Sequence, residues 1–405
     1  MNNRETRYQA LLDALETRIL IIDGAMGTML QQAGLTPEDF GGPALEGCNE
    51  NLVKYRPELI RSIHKAYFEA GADIVETNSF QSSTIVLAEY GLADQSYELS
   101  RESARLAREA ADALDTAMKP RFVAGSMGPT TKTISVTGGV TFQQLRDSYY
   151  TQAKGLIDGG ADILLLETCN DTRTVKAGLI AFRDLFRELG FQVPVMVSGT
   201  IEPMGTMLAG QTADALWTSI GHANLLSIGL NCATGPEFMT DHLRTINELA
   251  GTRISCYPNA GLPQVDGTYP ETPESLAAQV ERFVDHGWLN LVGGCCGTTP
   301  EHISQMAQMA SGKKPRPLKR LAPRSLFSGI EVVEAEESNR PLIVGERTNV
   351  IGSRLFKNLV NEEKWEEATE IARRQVRNGA HIIDVCLQQT EREEMGDIPP
   401  FYEKL

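Results

Sequence analysis

The chain has 405 residues, a formal net charge of −15, 41% hydrophobic residues and 22% charged residues, which together are typical of a globular protein with more than one domain. The negative charge argues against a nucleic-acid partner, and no apolar run reaches the length of a membrane span. Because the polar N-terminus lacks a signal-peptide core and the seven cysteines are scattered and odd in number, we expect a cytoplasmic protein without a disulfide framework.

Predicted strands alternate with predicted helices up to residue 310. The strand-like runs are 18–22, 72–78, 122–126, 161–168, 193–198, 225–230, 253–257 and 289–292. Several are continuously apolar, which is typical of parallel sheets covered on both faces. Eight strand–helix units over this span predict an α/β fold, a (β/α)8 TIM barrel. The alternative, a doubly wound open sheet, lacks here its glycine-rich phosphate loop after the first strand.

The composition changes after residue 310. Residues 311–341 combine basic residues, prolines and an acidic run, and are predicted to form a linker. At residues 342–405 a strand, a helix over 362–378 and a second strand over 381–386 indicate the start of another α/β barrel. A segment of about 65 residues is too short to close a barrel, so we interpret it as truncated. The predicted domains are therefore 1–310 and 342–405, joined by the linker.

Polar side chains follow the predicted barrel strands at their C-terminal ends. They are Asp23, Asn78, Glu167, Cys232, Asn259, Cys295 and Cys296. In a barrel these ends converge on one face, where active sites lie. The sequence therefore predicts a single site from residues scattered along the chain, although for Asp23 alone a capping role in the next turn is the simpler interpretation.

Three of these residues are cysteines, and two of them are adjacent. Neighbouring side chains on a regular strand point to opposite faces, so both sulfurs of the pair can reach one point only where the flanking glycines bend the backbone. Three thiolates predict a zinc site with one open coordination position. The alternative is two buried cysteines in a tight turn. Of the other cysteines, Cys169 is the less favoured candidate ligand, Cys256 is expected in the barrel wall, and Cys48 and Cys386 are interpreted as incidental.

The chemistry of such a site points to a thiol substrate. An all-sulfur zinc suits a fourth sulfur ligand, and coordination lowers the pKa of a thiol so that it binds as thiolate. That thiolate is a nucleophile for alkyl transfer. Asp23 and Glu167 are candidates to hold an ammonium group. We therefore expect a small substrate that carries a thiol and an α-amino group.

Four motifs in order resemble the homocysteine-binding domain of homocysteine S-methyltransferases, from about residue 15 to residue 310. They are Asp-Gly-Ala-Met-Gly-Thr at 23–28, Asn-Cys at 231–232, Pro-Asn-Ala-Gly at 258–261 and Gly-Gly-Cys-Cys-Gly-Thr-Thr-Pro at 293–300. The resemblance implies zinc held by Cys232, Cys295 and Cys296, with the homocysteine sulfur as exchangeable ligand. It also implies that Asp23, Gly24 and Glu167 bind homocysteine, and that the carbonyl of Asn259 can occupy the fourth zinc position when substrate is absent.

A further motif, Gly-Glu-Arg-Thr-Asn at 345–349, resembles the start of the methyltetrahydrofolate-binding domain of cobalamin-dependent methionine synthases. It implies that Glu346 and Asn349 belong to a pterin site and that methylcobalamin donates the methyl group that converts homocysteine to methionine. Methyltetrahydrofolate would be the methyl source of the whole enzyme.

The chain departs from methionine synthases because most of the folate barrel and the Asp-x-His-x-x-Gly cobalamin motif are missing from its 405 residues. The expected partners are therefore the substrate homocysteine and, in cis or in trans, a folate domain and a cobalamin domain. The alternatives are a stand-alone homocysteine methyltransferase that uses betaine or S-methylmethionine, and a structural or zinc-storing barrel.

Overall fold

The computed structural model describes residues 3–265 and 267–405. Its main sheet has eight parallel strands: β1 (Leu20–Ile21), β2 (Ile74–Glu76), β3 (Phe122–Met127), β4 (Ile163–Cys169), β5 (Val195–Gly199), β6 (Ser227–Asn231), β7 (Arg253–Tyr257) and β8 (Leu291–Val292). Their order is β1-β8-β7-β6-β5-β4-β3-β2, and a parallel bridge between Ile22 and Ile74 joins the two ends. The predicted (β/α)8 barrel is confirmed.

Helices precede and follow the strands. They are α1 (Asn3–Thr17), α2 (Met26–Gln32), α3 (Leu52–Tyr55), α4 (Pro57–Ala70), α5 (Thr84–Leu87), α6 (Ser96–Leu114), α7 (Phe142–Asp158), α8 (Thr172–Leu189), α9 (Ala213–Ile220), α10 (Pro236–Leu249), α11 (Pro273–Asp285) and α12 (Pro300–Ala310). Short 3-10 helices lie at Pro37–Phe40, Pro43–Leu45, Asn49–Asn51, Ala88–Tyr90 and Ala93–Gln95. Among the described residues, no helix is both long and apolar enough to span a membrane.

Side chains along each strand point alternately to its two faces, and this divides the core into two layers. In β4, Leu164 and Leu166 belong to the layer between strands and helices, whereas Ile163 and Leu165 belong to the layer inside the barrel. Residues two apart on a strand face the same side, so the next inward residue after Leu165 is Glu167. Inward polar groups at the strand ends therefore lie above an apolar barrel interior.

The chain forms two compact units. The first runs to Leu321 and includes Gly329–Glu331, and the second comprises Ala322–Ser328 and Val332–Leu405. Within the predicted linker, Arg316 is buried in the first unit, where its guanidinium donates to Asn247 Oδ1 at 2.7 Å and to the Ala250 carbonyl at 2.6 Å.

The second unit contains a hairpin and a small parallel sheet. Its elements are β9 (Leu326–Ser328), β10 (Val332–Glu334), a 3-10 helix (Glu337–Asn339), β11 (Val344–Asn349), α13 (Arg354–Asn361), α14 (Trp365–Arg377), β12 (Ile382–Cys386) and α15 (Glu394–Lys404). β11 pairs with β12 in parallel, as a βαβ start requires. Helix α14 occupies most of the predicted helix at 362–378, while α13 and α15 were not predicted. Both contribute to a small core through Phe356 and Phe401.

Candidate metal centre

Cys232 lies directly after β6, in a turn with unusual backbone geometry. Its φ is 60° and that of Ala233 is 52°, in the left-handed region that residues other than glycine rarely adopt. The preceding Asn231 is held by its side chain, whose Oδ1 accepts hydrogen bonds from Thr168 N at 2.9 Å and Ser198 Oγ at 2.7 Å. These contacts with β4 and β5 stabilise the turn that presents Cys232 at the barrel mouth.

Cys295 and Cys296 lie in the loop after β8, which is bound to neighbouring strand ends through its backbone. The Cys295 N–H donates to the Pro258 carbonyl at 2.8 Å, and the Cys296 N–H donates to Asn259 Oδ1 at 3.1 Å. Gly297 has a φ of 80°, which glycine adopts without strain. The loop therefore leaves strand geometry immediately after β8, as the adjacent cysteines require.

The three sulfur atoms of Cys232, Cys295 and Cys296 all lie within 4.8 Å of one another, and those of Cys232 and Cys296 are 3.9 Å apart. Ligands at the ~2.3 Å zinc–sulfur distance in a tetrahedron are about 3.8 Å apart. All three side chains are half-buried, so the cluster is not sealed from solvent. The arrangement and the donor chemistry both fit a zinc ion.

The three clustered thiols shift one another's pKa values. Hydrogen bonds with the Cys232 and Cys295 thiols lower the pKa of Cys296 to about 3. Conversely, hydrogen bonds with Cys232 and Cys296 raise the pKa of Cys295 well above its ordinary value. Cys296 is therefore the cysteine of this cluster that loses its proton most readily, and metal ligation requires deprotonated cysteines.

The remaining cysteines lie apart from this cluster. Cys256 is buried in the layer between strands and helices, where its sulfur is 3.8 Å from that of Met239. Cys169 and Cys48 are buried in the same layer, and Cys386 is in the second unit. Asn259 lies beside the cluster through its bond to the Cys296 N–H; its role as a fourth ligand stays a prediction.

Asp23 and Glu167 are both buried at the same end of the barrel. Each Asp23 carboxylate oxygen accepts the Glu76 backbone N–H at 3.1 Å, and Glu167 accepts a hydrogen bond from the Ser126 hydroxyl. Burial raises the pKa of Asp23 well above its ordinary value, and burial together with the negative charge at Cys296 raises the pKa of Glu167 to about 7. The two acids therefore favour a bound cation.

Gly24 provides close approach between two loops. A Cβ atom at this position would lie 2.7 Å from Thr298 Oγ1 and 2.9 Å from Tyr67 Cε1. Thr298 also accepts a hydrogen bond from Ala25 N at 3.2 Å and donates to the Cys295 carbonyl at 2.6 Å. Gly24 thus allows the loop after β1 to pack against the cysteine loop.

Three further side chains at the mouth, Glu76, Ser126 and Tyr257, were missed from the sequence. Each has inward parity, which means that it lies an even number of residues from a side chain inside the barrel. Glu76 follows Ile74 by two residues, Ser126 follows Ala124 by two, and Tyr257 itself belongs to the inner layer. That parity, together with an acidic or hydroxyl group at a strand end, is the sequence signal that could have identified them.

The two predicted pterin-site residues lie in the second unit. Glu346 is exposed and forms an ion pair with Arg347 at 3.3 Å. Asn349 donates from Nδ2 to Asp384 Oδ2 at 3.1 Å and accepts the Ile351 N–H at 2.9 Å. The structure places them on the same strand, β11, and their role stays a prediction.

Residues 20–310 match the homocysteine S-methyltransferase family, which covers most of the chain and the whole of the barrel sheet. The chain belongs to the homocysteine S-methyltransferase family. Residues 345–402, within the second unit, match the pterin binding enzyme family.

Two solved structures of the homocysteine methyltransferase MmuM from Escherichia coli resemble this homocysteine S-methyltransferase chain. The oxidized form has a TM-score of 0.61 and the metallated form a TM-score of 0.60, each at 25% sequence identity. Both matches cover 75% of this chain and 99% of the MmuM chain. The similarity thus spans nearly the whole of MmuM.

Proposed function

We propose that this chain activates the homocysteine thiol for methyl transfer from methylcobalamin, giving methionine, as the homocysteine-binding part of a methionine synthase. The observation that carries the proposal is the cluster of three sulfur atoms within 4.8 Å of one another at the mouth that also holds Asp23 and Glu167. Cys232, Cys295 and Cys296 would hold zinc, which on binding supplies a Lewis acid that favours the thiolate form of the substrate.

The residues of the chain have distinct roles in this proposal. The half-buried cysteines leave one side of the cluster open to a fourth sulfur. Asp23 and Glu167 hold the substrate ammonium group and so fix the distance between that group and the sulfur. The thiol proton leaves to solvent or to a base in the site when the thiolate forms. The thiolate sulfur would then bond to the methyl carbon as the cobalt–carbon bond of the donor breaks, with its electron pair remaining on the cobalamin.

The methionine synthase assignment is supported by the match of residues 345–402 to pterin binding enzymes. A pterin-binding segment in the same chain as a homocysteine barrel suits methyltetrahydrofolate as the ultimate methyl source, with Glu346 and Asn349 as candidate pterin ligands. Folate and cobalamin domains, in cis or in trans, would then be the partners of this barrel.

The second candidate is a stand-alone homocysteine methyltransferase that takes its methyl group from S-methylmethionine or betaine. One observation favours it: the match to MmuM covers 99% of that chain and only 75% of this one. MmuM is a homocysteine methyltransferase, and nearly all of its chain is matched by three quarters of this one. The pterin-binding match at 345–402 has no role in this alternative.

Zinc-edge X-ray absorption on the zinc-loaded chain tests the proposal against a structural or zinc-storing barrel. We expect three sulfur ligands and one lighter ligand without substrate, and four sulfur ligands after homocysteine is added. Methionine added at the same concentration is the control, because its sulfur is methylated and should not replace the lighter ligand. A zinc spectrum that homocysteine does not change would contradict the proposed function.

A further inference from the structure

Glu76 is an additional acidic side chain at the barrel mouth. It is the last residue of β2 and has the same inward parity as Ile74, which lies inside the barrel. Its Oε1 atom is buried and has no hydrogen-bond partner in the described part of the chain. A buried carboxyl oxygen without a partner is costly, so its presence here calls for an explanation.

Two other carboxyl groups surround Glu76. Burial and the charges of Glu167 and Asp23 raise the pKa of Glu76 well above its ordinary value, and its backbone N–H is the group that both oxygens of Asp23 accept. Within residues 3–265 and 267–405, neither Asp23, Glu76 nor Glu167 forms an ion pair with a basic side chain. Three buried acidic side chains therefore lie at the same end of the barrel, and none of them is balanced by a basic side chain of the described residues.

The Tyr257 hydroxyl is an independent sign of a ligand at this place. Tyr257 is 1% exposed, ends β7 and has inward parity, and its hydroxyl has no hydrogen-bond partner among the described residues. Burial, together with the charges of Glu167 and Glu76, raises the pKa of Tyr257 well above its ordinary value. A buried hydroxyl and a buried carboxyl oxygen, both at strand ends and both without a partner, indicate a polar group that the protein itself does not supply.

We propose that Glu76 is a third acceptor for the substrate ammonium group, so that Asp23, Glu76 and Glu167 each accept one of its three N–H bonds. A primary ammonium group has three donors and no acceptor, which matches three carboxyl groups in number and in charge. This inference rests on the proposed function and adds a residue to its ammonium-binding site.

Like charges that are buried close together repel one another, which favours protonated carboxyl groups in the absence of substrate. An incoming ammonium group supplies the balancing positive charge, and any proton that it displaces leaves to solvent. Thiols without an amino group leave these carboxyl groups unchanged and gain nothing from Glu76.

Calorimetric titration of the zinc-loaded chain with two thiols tests this role. Homocysteine carries the ammonium group, whereas 4-mercaptobutyrate retains the thiol and carboxylate but lacks it. In Glu76→Gln we expect homocysteine affinity to fall by about tenfold to a hundredfold, since a charge-assisted hydrogen bond is lost. The affinity for 4-mercaptobutyrate should change less than about twofold, and the zinc content should not change.

Glu50→Gln is the matched control, because Glu50 is also a buried glutamate but already accepts the Gln81 N–H at 2.9 Å. Its homocysteine affinity should equal that of the wild type. If Glu76→Gln does not fold, Glu76→Asp serves instead; its retracted carboxylate should weaken homocysteine binding selectively.

An equal loss of affinity for both thiols, or no loss for either, would overturn the role of Glu76. Those outcomes leave the proposed function standing as long as the wild type binds homocysteine. Failure of the zinc-loaded wild type to bind homocysteine would instead contradict the proposed function itself.

Discussion

Single residues at the barrel mouth owe their positions to backbone conformations that ordinary strands do not adopt. Thr168 and Cys232 both have positive φ, at 53° and 60°, and Asn231 bonds to Thr168 through its Oδ1 and Nδ2 atoms. The strained backbone at the irregular end of β4 and the strained turn after β6 therefore support each other. The expected gain is a preformed thiol cluster, whose ligands need little rearrangement on binding a metal.

Removing a single sulfur should abolish most zinc binding. We expect Cys232→Ala, Cys295→Ala and Cys296→Ala each to lose zinc on dialysis, because two thiolates hold the ion far less tightly than three. Zinc content measured by mass spectrometry, with circular dichroism to confirm folding, checks this. Cys256→Ala is the control, since that sulfur is buried beside Met239, and should retain zinc. Full zinc content in Cys296→Ala would refute the assignment of ligands.

At the scale of elements, the loop between β1 and α2 joins the site to the cysteine loop. It contains two glycines with different surroundings. A Cβ atom at Gly24 would meet Thr298 and Tyr67, whereas at Gly27, inside α2, it would meet nothing within 4 Å. The same substitution should therefore have opposite effects at positions three residues apart.

We expect Gly24→Ala to destabilise the barrel by about 1–3 kcal/mol, because the added methyl group overfills a packed contact. Gly27→Ala should stabilise it by roughly 0.5–1 kcal/mol, since alanine is favoured over glycine within a helix. Chemical denaturation of both variants and the wild type measures the difference. Equal effects of the two substitutions would show that Gly24 is not required for close approach.

Helix α4 carries a buried histidine that makes the barrel sensitive to acid. His64 is fully buried, and neither of its ring nitrogens has a hydrogen-bond partner in the part of the chain that the structure describes. Burial lowers the pKa of His64 to about 4, below the ordinary value of 6.5. The unfolded chain therefore binds more protons between these two values, and stability falls as the pH drops through this window.

Between pH 7 and pH 5 we expect His64 to account for a loss of unfolding free energy on the order of 2 kcal/mol. Replacing it in His64→Leu removes the titrating group, so the variant should lose correspondingly less stability over the same range. Urea unfolding at both pH values compares the two proteins. Identical pH dependence in wild type and variant would mean that His64 is not protonated on unfolding.

At the scale of the whole molecule, the barrel contains every residue proposed to bind zinc and homocysteine, and the pterin-binding match lies in the other compact unit. The first unit includes the buried Arg316 but not residues 332–405. The thiol chemistry should therefore be separable from the source of the methyl group.

Methyl donors added to the zinc-loaded chain distinguish the two candidate functions. If the barrel belongs to a methionine synthase, free methylcobalamin with homocysteine should give methionine slowly, because a donor free in solution is not held in line with the thiolate. Methyltetrahydrofolate alone should give none. Cys296→Ala is the control for uncatalysed transfer. Faster methionine formation from S-methylmethionine or betaine than from methylcobalamin would favour the stand-alone alternative.

The amino-acid sequence was sufficient to predict the barrel and to identify Cys232, Cys295 and Cys296 as the cysteines at its strand ends. Hydrophobic periodicity and eight strand–helix repeats are local signals, and the strand-end rule predicted that distant residues such as Asp23 and Cys232 share one face. These inferences need only the chain order, because parallel strands in a barrel have a common direction.

Tertiary structure alone decided the contacts within the mouth. The bond from the Glu76 N–H to Asp23 joins β2 to the loop after β1, and the bond from Ser126 to Glu167 joins β3 to β4, so both depend on barrel closure and strand register. The left-handed turn at Cys232 likewise depends on Asn231 bonding to Thr168 and Ser198. Such hydrogen bonds cannot be predicted from local sequence, because each joins groups that are distant along the chain and come together only on folding.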